Sequence, residues 1–328
     1  MENDNNCITI RETDDSEEDS ENGVEAKSAH VSIHSSGTPN NVDISRSSSS
    51  ASLVSSSQTD DIIRNNCYPA DDFVSNDDAA EVVLEDVEKM ISRNLPLVNV
   101  PEKIIICLDT AQDPDYTPFK LGDGSKYTPL SMIKRVTEIF MKSKHIINAK
   151  HEFALIVLQS DSALWLRDFT REPCEIVLAL DDVSESCPQK SFDLSALFDL
   201  IKGHVLLPVI EDPSITPPPY VVRVILLYSR SYCLPEFKHG RESFDFLTAS
   251  QYFTLDTLYI HEDPSENNKC EEIYKVLDDL DEKGFSYVFG VPRKPTILHD
   301  TMAKLLAHPL QRPLQKMAHY KLEWQEPQ

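Results

Sequence analysis

The sequence has few basic residues, and this shortage bears on one class of function. Its 328 residues carry 31 Lys plus Arg against 55 Asp plus Glu, which gives a formal charge of −24. Proteins hold a nucleic-acid backbone mainly through Lys and Arg, and the sequence contains no basic run interleaved with aromatic residues. We therefore expect no direct binding to nucleic acid.

Paired cysteines and long apolar runs are also missing. The seven cysteines include no Cys-x-x-Cys pair, so neither a disulfide framework nor a zinc module is indicated. Buried, reduced thiols are typical of cytosolic and nuclear proteins. The amino terminus shows no apolar segment behind a basic start, and no apolar run exceeds the length of a strand. We therefore expect neither a signal peptide nor a membrane span.

Motifs of the common hydrolases are absent as well. No pair of histidines has the His-Glu-x-x-His spacing, and no Ser or Cys lies in a Gly-x-Ser-x-Gly context. The histidines, His151 and His308 among them, are interpreted as scattered surface residues. We predict that the chain is not an enzyme and that it needs no cofactor.

An acidic arm opens the chain. The first hundred residues hold 21 Asp plus Glu and 6 Lys plus Arg, and a serine-rich stretch lies at 45–57. A segment of low hydrophobicity and high charge of one sign does not bury enough apolar surface to offset the entropy of ordering. We expect residues 1–95 to be mostly disordered, and the remainder to hold one sizeable core.

Apolar runs of strand length alternate with helical patterns from Lys103 onward. Residues 103–109 form a continuous apolar run that ends in an acid, as strands buried on both faces of a parallel sheet often do. Thr128 and Pro129 form a favoured helix start, and Thr296 is predicted to cap the final helix. Further strands are predicted at 153–158, at 163–166 as an antiparallel edge, and at 221–228, 252–260 and 285–289. The alternation predicts an α/β domain at 100–307, a doubly wound, mostly parallel sheet with helices on both faces.

The loop that follows Asp109 carries a family resemblance. An apolar strand that ends in Asp, followed by a loop and an amphipathic helix, resembles the opening of a von Willebrand A domain. In that family the loop usually reads Asp-x-Ser-x-Ser, and its oxygens hold a divalent cation together with a Thr and an Asp from later loops. A ligand shell made only of oxygen suits magnesium.

This chain departs from that metal-binding pattern at several positions. Ala111 stands at the first serine position and offers no side-chain oxygen, Asp113 stands at the second, and Ser229-Arg230 replaces the usual Asp-Gly. A guanidinium in that loop would compete with a metal for Asp109. We expect no metal, with Asp109 accepting loop amides or pairing with Arg230 instead. A metal-dependent ligand binder or hydrolase is the alternative.

Four blocks of the sequence resemble a family of adaptor proteins. They read PEKIIICLD at 101–109, HEFAL at 151–155, PPPYVVR at 217–223 and MAKLLAHPLQRP at 302–313. These blocks resemble the von Willebrand A-like adaptor subunits of the BRISC deubiquitinase and of its nuclear counterpart, the breast-cancer-one A complex. The last block is the most specific, because the alternation of helices and strands does not require it.

The resemblance implies a role in assembly. It implies a non-catalytic adaptor that binds a scaffold subunit with ubiquitin-conjugating-like domains. Through that scaffold the adaptor would stabilise a JAMM-type metalloprotease, which trims lysine-63-linked ubiquitin chains, and its pseudoenzyme partner. It also implies a place in the cytoplasm and the nucleus, where the nuclear complex serves DNA-damage signalling. A von Willebrand A subunit of another nuclear assembly is the alternative.

Residues 308–328 are predicted to form a partner-binding tail. Prolines break the final helix and favour an extended conformation, which loses little entropy on docking. We expect the helix to hand the chain outward at His308, so that residues 309–313 project as a preformed ligand. The predicted partner contacts are Pro309, Leu310, Arg312, Pro313, Tyr320 and Trp324. A frayed terminus is the alternative.

Overall fold

The structure of the protein is a computed structural model that describes residues 98–187 and 190–318. The predicted acidic arm, 1–95, lies outside the described residues. Within them the strands are β1 (Glu102–Asp109), β2 (Phe119–Lys120), β3 (Lys126–Tyr127), β4 (Glu152–Leu158), β5 (Ala163–Thr170), β6 (Ser191–Asp193), β7 (Val221–Tyr228), β8 (Leu234–Glu236), β9 (Phe253–His261) and β10 (Val288–Pro292). The helices are α1 (Pro129–Ile147), α2 (Pro173–Asp182), α3 (Leu194–His204), α4 (Glu242–Ala249), α5 (Cys270–Asp278) and α6 (Pro295–Lys304).

Six of these strands form the central sheet, in the order β10-β9-β7-β1-β4-β5. Neighbouring strands are parallel except for β5, which runs antiparallel to β4 at one edge. The chain builds outward from β1 through β4 to β5, and then crosses to the other side of β1 to form β7, β9 and β10. This reversal makes a topological switch point beside β1, where ligands of open α/β sheets commonly bind. The prediction of a doubly wound, mostly parallel sheet is confirmed.

Helices cover both faces of the sheet, because alternate side chains of each buried strand point to opposite faces. Ile104, Ile106 and Leu108 of β1 pack with α1, α2 and α6, on what we call the first face. Ile105 and Cys107 pack with α3, α4 and α5 on the second face. In the part of the chain that the structure describes, no helix combines the length and apolar character needed to cross a bilayer.

A capping side chain or a proline in the first turn explains where four of these six helices begin. The Thr128 hydroxyl accepts the Ser131 N–H at 3.2 Å and Pro129 is the first helical residue, so the predicted start of α1 is confirmed. The prediction that Thr296 caps the final helix is wrong. Because Pro295 already has the backbone angle of a first helical residue, α6 begins there and Thr296 lies inside it.

The two edge strands of the sheet, β5 and β10, can be compared with the predicted strands. The antiparallel edge strand is confirmed and extends over Ala163–Thr170. The last strand lies at Val288–Pro292 rather than at 285–289. One carboxylate explains why the strand begins later. Asp281 accepts the N–H groups of Phe285 and Ser286 at 3.1 Å, so these groups cannot pair with a neighbouring strand.

Candidate functional site

The carboxyl end of β1 lies at the switch point, where open α/β sheets commonly bind ligands. Asp109 is the last residue of β1 and is fully buried. Its carboxylate accepts the N–H groups of Ala111 and Ser229, each at 3.0 Å. It also accepts Nε of Arg230 at 3.0 Å. Amides and a guanidinium therefore already satisfy the acid that a metal would need.

Arg230 is held in this position from every side. Its Nη1 donates to the carbonyl of Ser160 at 2.5 Å, and its Nη2 donates to the carbonyl of Gln159. The guanidinium carbon lies 4.8 Å from the ring centroid of Phe192, within reach of a cation–π interaction. Burial alone would lower the pKa of Arg230, but Asp109, together with smaller contributions from Tyr228 and Cys233, raises this pKa above its usual value. A permanent positive charge thus lies against Asp109.

The other residues of the predicted degenerate metal loop lie at the same carboxyl end of the sheet. Ala111 is buried and forms a β-bridge with Ser186. Asp113 is also buried, and its Oδ2 accepts the Ser231 N–H at 2.8 Å. Burial raises the pKa of Asp113. Among residues 98–187 and 190–318, no three His, Cys, Asp or Glu side chains converge as a metal site would require.

A second buried ionic cluster lies toward the amino ends of the central strands, on the first face. Arg223 of β7 bridges two acids: its Nη1 donates to Glu102 of β1 at 3.1 Å, and its Nε donates to Asp256 of β9 at 2.8 Å. Lys144, from the last turn of α1, donates to Glu102 as well. All four side chains are at most 1% exposed. Each buried charge therefore has a partner of opposite sign.

Arg312 completes this cluster from the carboxyl-terminal part of the chain. Its Nη1 donates to Asp256 at 2.8 Å, and its Nη2 donates to the other oxygen of the same carboxylate. The guanidinium carbon lies 3.9 Å from the ring centroid of Tyr287. Burial alone would raise the pKa of Asp256, but the charges of Arg312 and Arg223 lower it to about 2. Asp256 is therefore an anion shared by two arginines.

The expectation that residues 309–313 project from the domain is wrong. Leu310 is buried against Val221 and Tyr252, and Arg312 is used internally. The carbonyl of Pro313 accepts the Tyr287 hydroxyl at 2.8 Å. The physical reason is the cost of a buried carboxylate such as Asp256, which favours a second cation and draws the segment inward.

The same segment continues along the edge of the sheet. The side-chain amide of Gln315 accepts the Val288 N–H at 2.6 Å and donates to the Val288 carbonyl at 2.7 Å. One glutamine thus imitates strand pairing on β10. Tyr320 and Trp324, the predicted aromatic anchors, lie outside the described residues, so their role stays a prediction.

Two histidines that were expected at the surface are buried in the second cluster. Nδ1 of His151 accepts the Glu102 N–H at 2.9 Å, and Nδ1 of His308 accepts the Leu310 N–H at 3.1 Å. The surface interpretation is wrong for this pair, because each ring serves a backbone amide that would otherwise be buried without a partner. Burial lowers the pKa of both histidines to about 4.

The sequence carried a signal for this second cluster that the motif search missed. Arg223 is the lone charged residue in the apolar run VVRVILLY, and Asp256 is the lone acid in FTLDTLYIH. A strand buried on both faces tolerates a charge only when it is paired. Two such strands with charges of opposite sign predict an interstrand pair.

Comparison with known proteins gives the family. No family model matches the chain. The chain is 41% identical over 232 residues to "BRISC and BRCA1-A complex member 1" of Homo sapiens, covering 69% of this chain and 70% of that protein. The protein of the same name from Xenopus laevis is 40% identical over 230 residues, covering 69% of each. The chain belongs to this family. By their name, these BRISC and BRCA1-A complex members are subunits of two multiprotein assemblies.

Solved structures with a similar arrangement include von Willebrand A domains. The SpRpn10 VWA domain has a TM-score of 0.41 at 12% identity, covering 65% of this chain and 98% of that one. The vWF domain of the pilus tip protein Mfa5 from Porphyromonas gingivalis has a TM-score of 0.42 at 8% identity, covering 64% and 95%. The von Willebrand A-like fold of this member of the family follows from its own strand order and connections.

Proposed function

We propose that the protein is a non-catalytic adaptor subunit of a lysine-63-specific deubiquitinase complex of the BRISC type and of its nuclear DNA-damage counterpart. The observation that carries the proposal is the 41% identity over 232 residues to proteins named as members of both complexes. An identity of this size over most of each chain favours a shared assembly role.

The geometry at the switch point supports the non-catalytic part of this proposal. A magnesium ion at Asp109 would have to displace Arg230, which is fixed by the carboxylate, two carbonyls and an aromatic ring. Ala111 supplies no side-chain oxygen to replace those contacts. The alternative, a metal-dependent ligand binder or hydrolase, would lose its central ligand to an arginine.

The proposed partners follow from the resemblance of the sequence to adaptor subunits. The chain would bind a scaffold subunit with ubiquitin-conjugating-like domains, and through it a JAMM-type metalloprotease and its pseudoenzyme partner. The adaptor would then act by holding these subunits together, in the cytoplasm and in the nucleus. A rigid α/β domain suits such a role, because rigid surfaces lose little entropy on binding.

Co-purification tests this proposal. The full chain is tagged in its own cells, recovered from cytoplasmic and nuclear extracts, and its partners are identified by mass spectrometry. We expect the scaffold, the metalloprotease and the pseudoenzyme to be recovered from both extracts, together with cleavage of lysine-63-linked ubiquitin chains. Recovery with transcription or proteasome subunits instead would favour a different nuclear assembly and would overturn the proposal.

A further inference from the structure

The loop between α3 and β7, residues 205–219, exposes an unusual amount of apolar surface. Leu206, Val209 and Ile215 expose 82%, 94% and 77% of their surface. Single exposed aliphatic residues are normal on a soluble protein. Three in one stretch of ten residues are more than scattered single exposure, and concentrated apolar exposure often marks an interaction site.

Hydrogen bonds and packing fix the backbone of this loop, so its exposed apolar side chains have defined positions. The carbonyl of Leu206 accepts the Tyr220 hydroxyl at 2.8 Å. Asp212 accepts both the N–H and the hydroxyl of Ser214, at 3.1 Å and 2.6 Å, which fixes a turn. Leu207 packs against the second-face core. A surface fixed in this way loses little entropy when a partner covers it.

The loop also joins the carboxyl-terminal segment at the amino end of the sheet. Ile210 packs on a small apolar cluster that contains Leu310, Val221 and Tyr252. The loop and the carboxyl-terminal segment therefore meet at this apolar cluster.

We propose that the loop 205–219 is the docking surface for the scaffold protein of the complex, and that the scaffold meets it with an apolar patch rimmed by Lys or Arg. This inference rests on the proposed function and adds the place and chemistry of the contact. Charge selects the occupant: Glu211 and Asp212 are exposed beside the aliphatic residues, and the chain carries a charge of −24. Self-association would bring two strongly acidic chains together, whereas a basic rim complements the loop.

Matched triple variants of the full, tagged chain test the docking surface. One variant carries L206S, V209S and I215S. The control carries I146S, I147S and L178S, which alter three exposed aliphatic residues on α1 and α2. We expect the loop variant to recover the scaffold about ten-fold less well, as loss of an interface hot spot would predict, and the control to stay within about two-fold of wild type. Both should keep the wild-type melting temperature, because the altered side chains lie mostly in water.

A charge variant separates the rim from the apolar patch. E211K should weaken recovery about three-fold and reduce its sensitivity to salt, because repulsion from a basic rim replaces attraction. If the loop triple variant melts early, V209K alone replaces it, since Val209 is the most exposed of the three.

Three outcomes would overturn the inference, and they can be told apart. Wild-type recovery from the loop variant would remove the docking surface while the proposed function stands. Equal losses from the loop variant and the control would show a general effect of surface polarity. Failure of the wild-type chain to recover the scaffold would refute the proposed function and this inference with it.

Discussion

The two ends of the sheet use the same chemistry for different purposes. At the carboxyl end, Arg230 neutralises Asp109 from a neighbouring loop and closes the crevice where a ligand would bind. At the amino end, Arg312 neutralises Asp256 from a segment that follows the last helix and fastens that segment to the sheet. The Arg230–Asp109 pair occupies a potential ligand site, whereas the Arg312–Asp256 pair fixes a chain segment to the sheet.

Neither pair is an obvious source of net stability. Removing two charges from water costs several kcal/mol per ion, and the attraction between them repays this only with good geometry. Breaking one member of such a pair is a different matter, because it leaves a buried charge without its partner. Because of that asymmetry, single substitutions can separate the two ends.

The largest effect is expected from Asp256→Ala. This change leaves both Arg223 and Arg312 buried without their shared anion, so the free energy of unfolding should fall by about 3–5 kcal/mol. Urea or guanidinium unfolding measures it. The control is Asp245→Ala, which breaks an exposed pair with Arg241 and should cost less than about 1 kcal/mol. A similar small loss from Asp256→Ala would refute the view that this cluster fastens the chain.

Arg312→Met should have a smaller effect, of about 1–3 kcal/mol, because Asp256 keeps Arg223 while losing two charged hydrogen bonds. It should also make the chain more susceptible to limited proteolysis within 308–318, since the segment loses its buried anchor. Arg230→Met is the contrasting variant. It should destabilise the fold without raising cleavage in 308–318, and equal cleavage in both variants would mean that the two ends are not independent.

Acid should weaken the amino end of the sheet through its two buried histidines. His151 and His308 have a pKa of about 4 in the folded protein, whereas unfolded histidine takes up a proton near pH 6.5. Between these values the unfolded state binds more protons, so the free energy of unfolding falls as the pH falls. We expect a loss of up to about 3 kcal/mol between pH 6.5 and pH 5, with about half from each histidine.

Denaturant titrations at a series of pH values measure this loss. Asp256 adds its own loss only below its unfolded pKa near 4, as the pH approaches 2. A flat profile between pH 7 and pH 5 would show that these two histidines take up protons in the folded protein as they do in the unfolded chain, and would contradict the prediction.

Patterns of adjacent residues predict most of the fold, whereas they do not reveal contacts between residues far apart in the sequence. The apolar run of β1 and the Thr128 cap depend on adjacent residues, so they could be identified directly. The Asp109–Arg230 pair spans 121 residues and was expected only because Arg230 stands where a related family has a different residue. The segment after α6 was misjudged because its prolines are a local pattern, whereas the need of Asp256 for a second cation appears only when β9 lies beside β7.

The smallest expected effect is at the carboxyl end, where magnesium should do nothing measurable. A ligand stabilises a protein only by binding its folded state, and one present at 100 times its Kd adds about 2.7 kcal/mol. Magnesium would need the carboxylate of Asp109, which is already paired with Arg230. The guanidinium of Arg230 stays charged at any pH at which the protein is folded. The melting temperature should therefore be the same with and without millimolar magnesium. A clear rise that disappears in Asp109→Ala would show that a metal displaces the arginine, and the carboxyl end would then be a ligand site instead of a closed one.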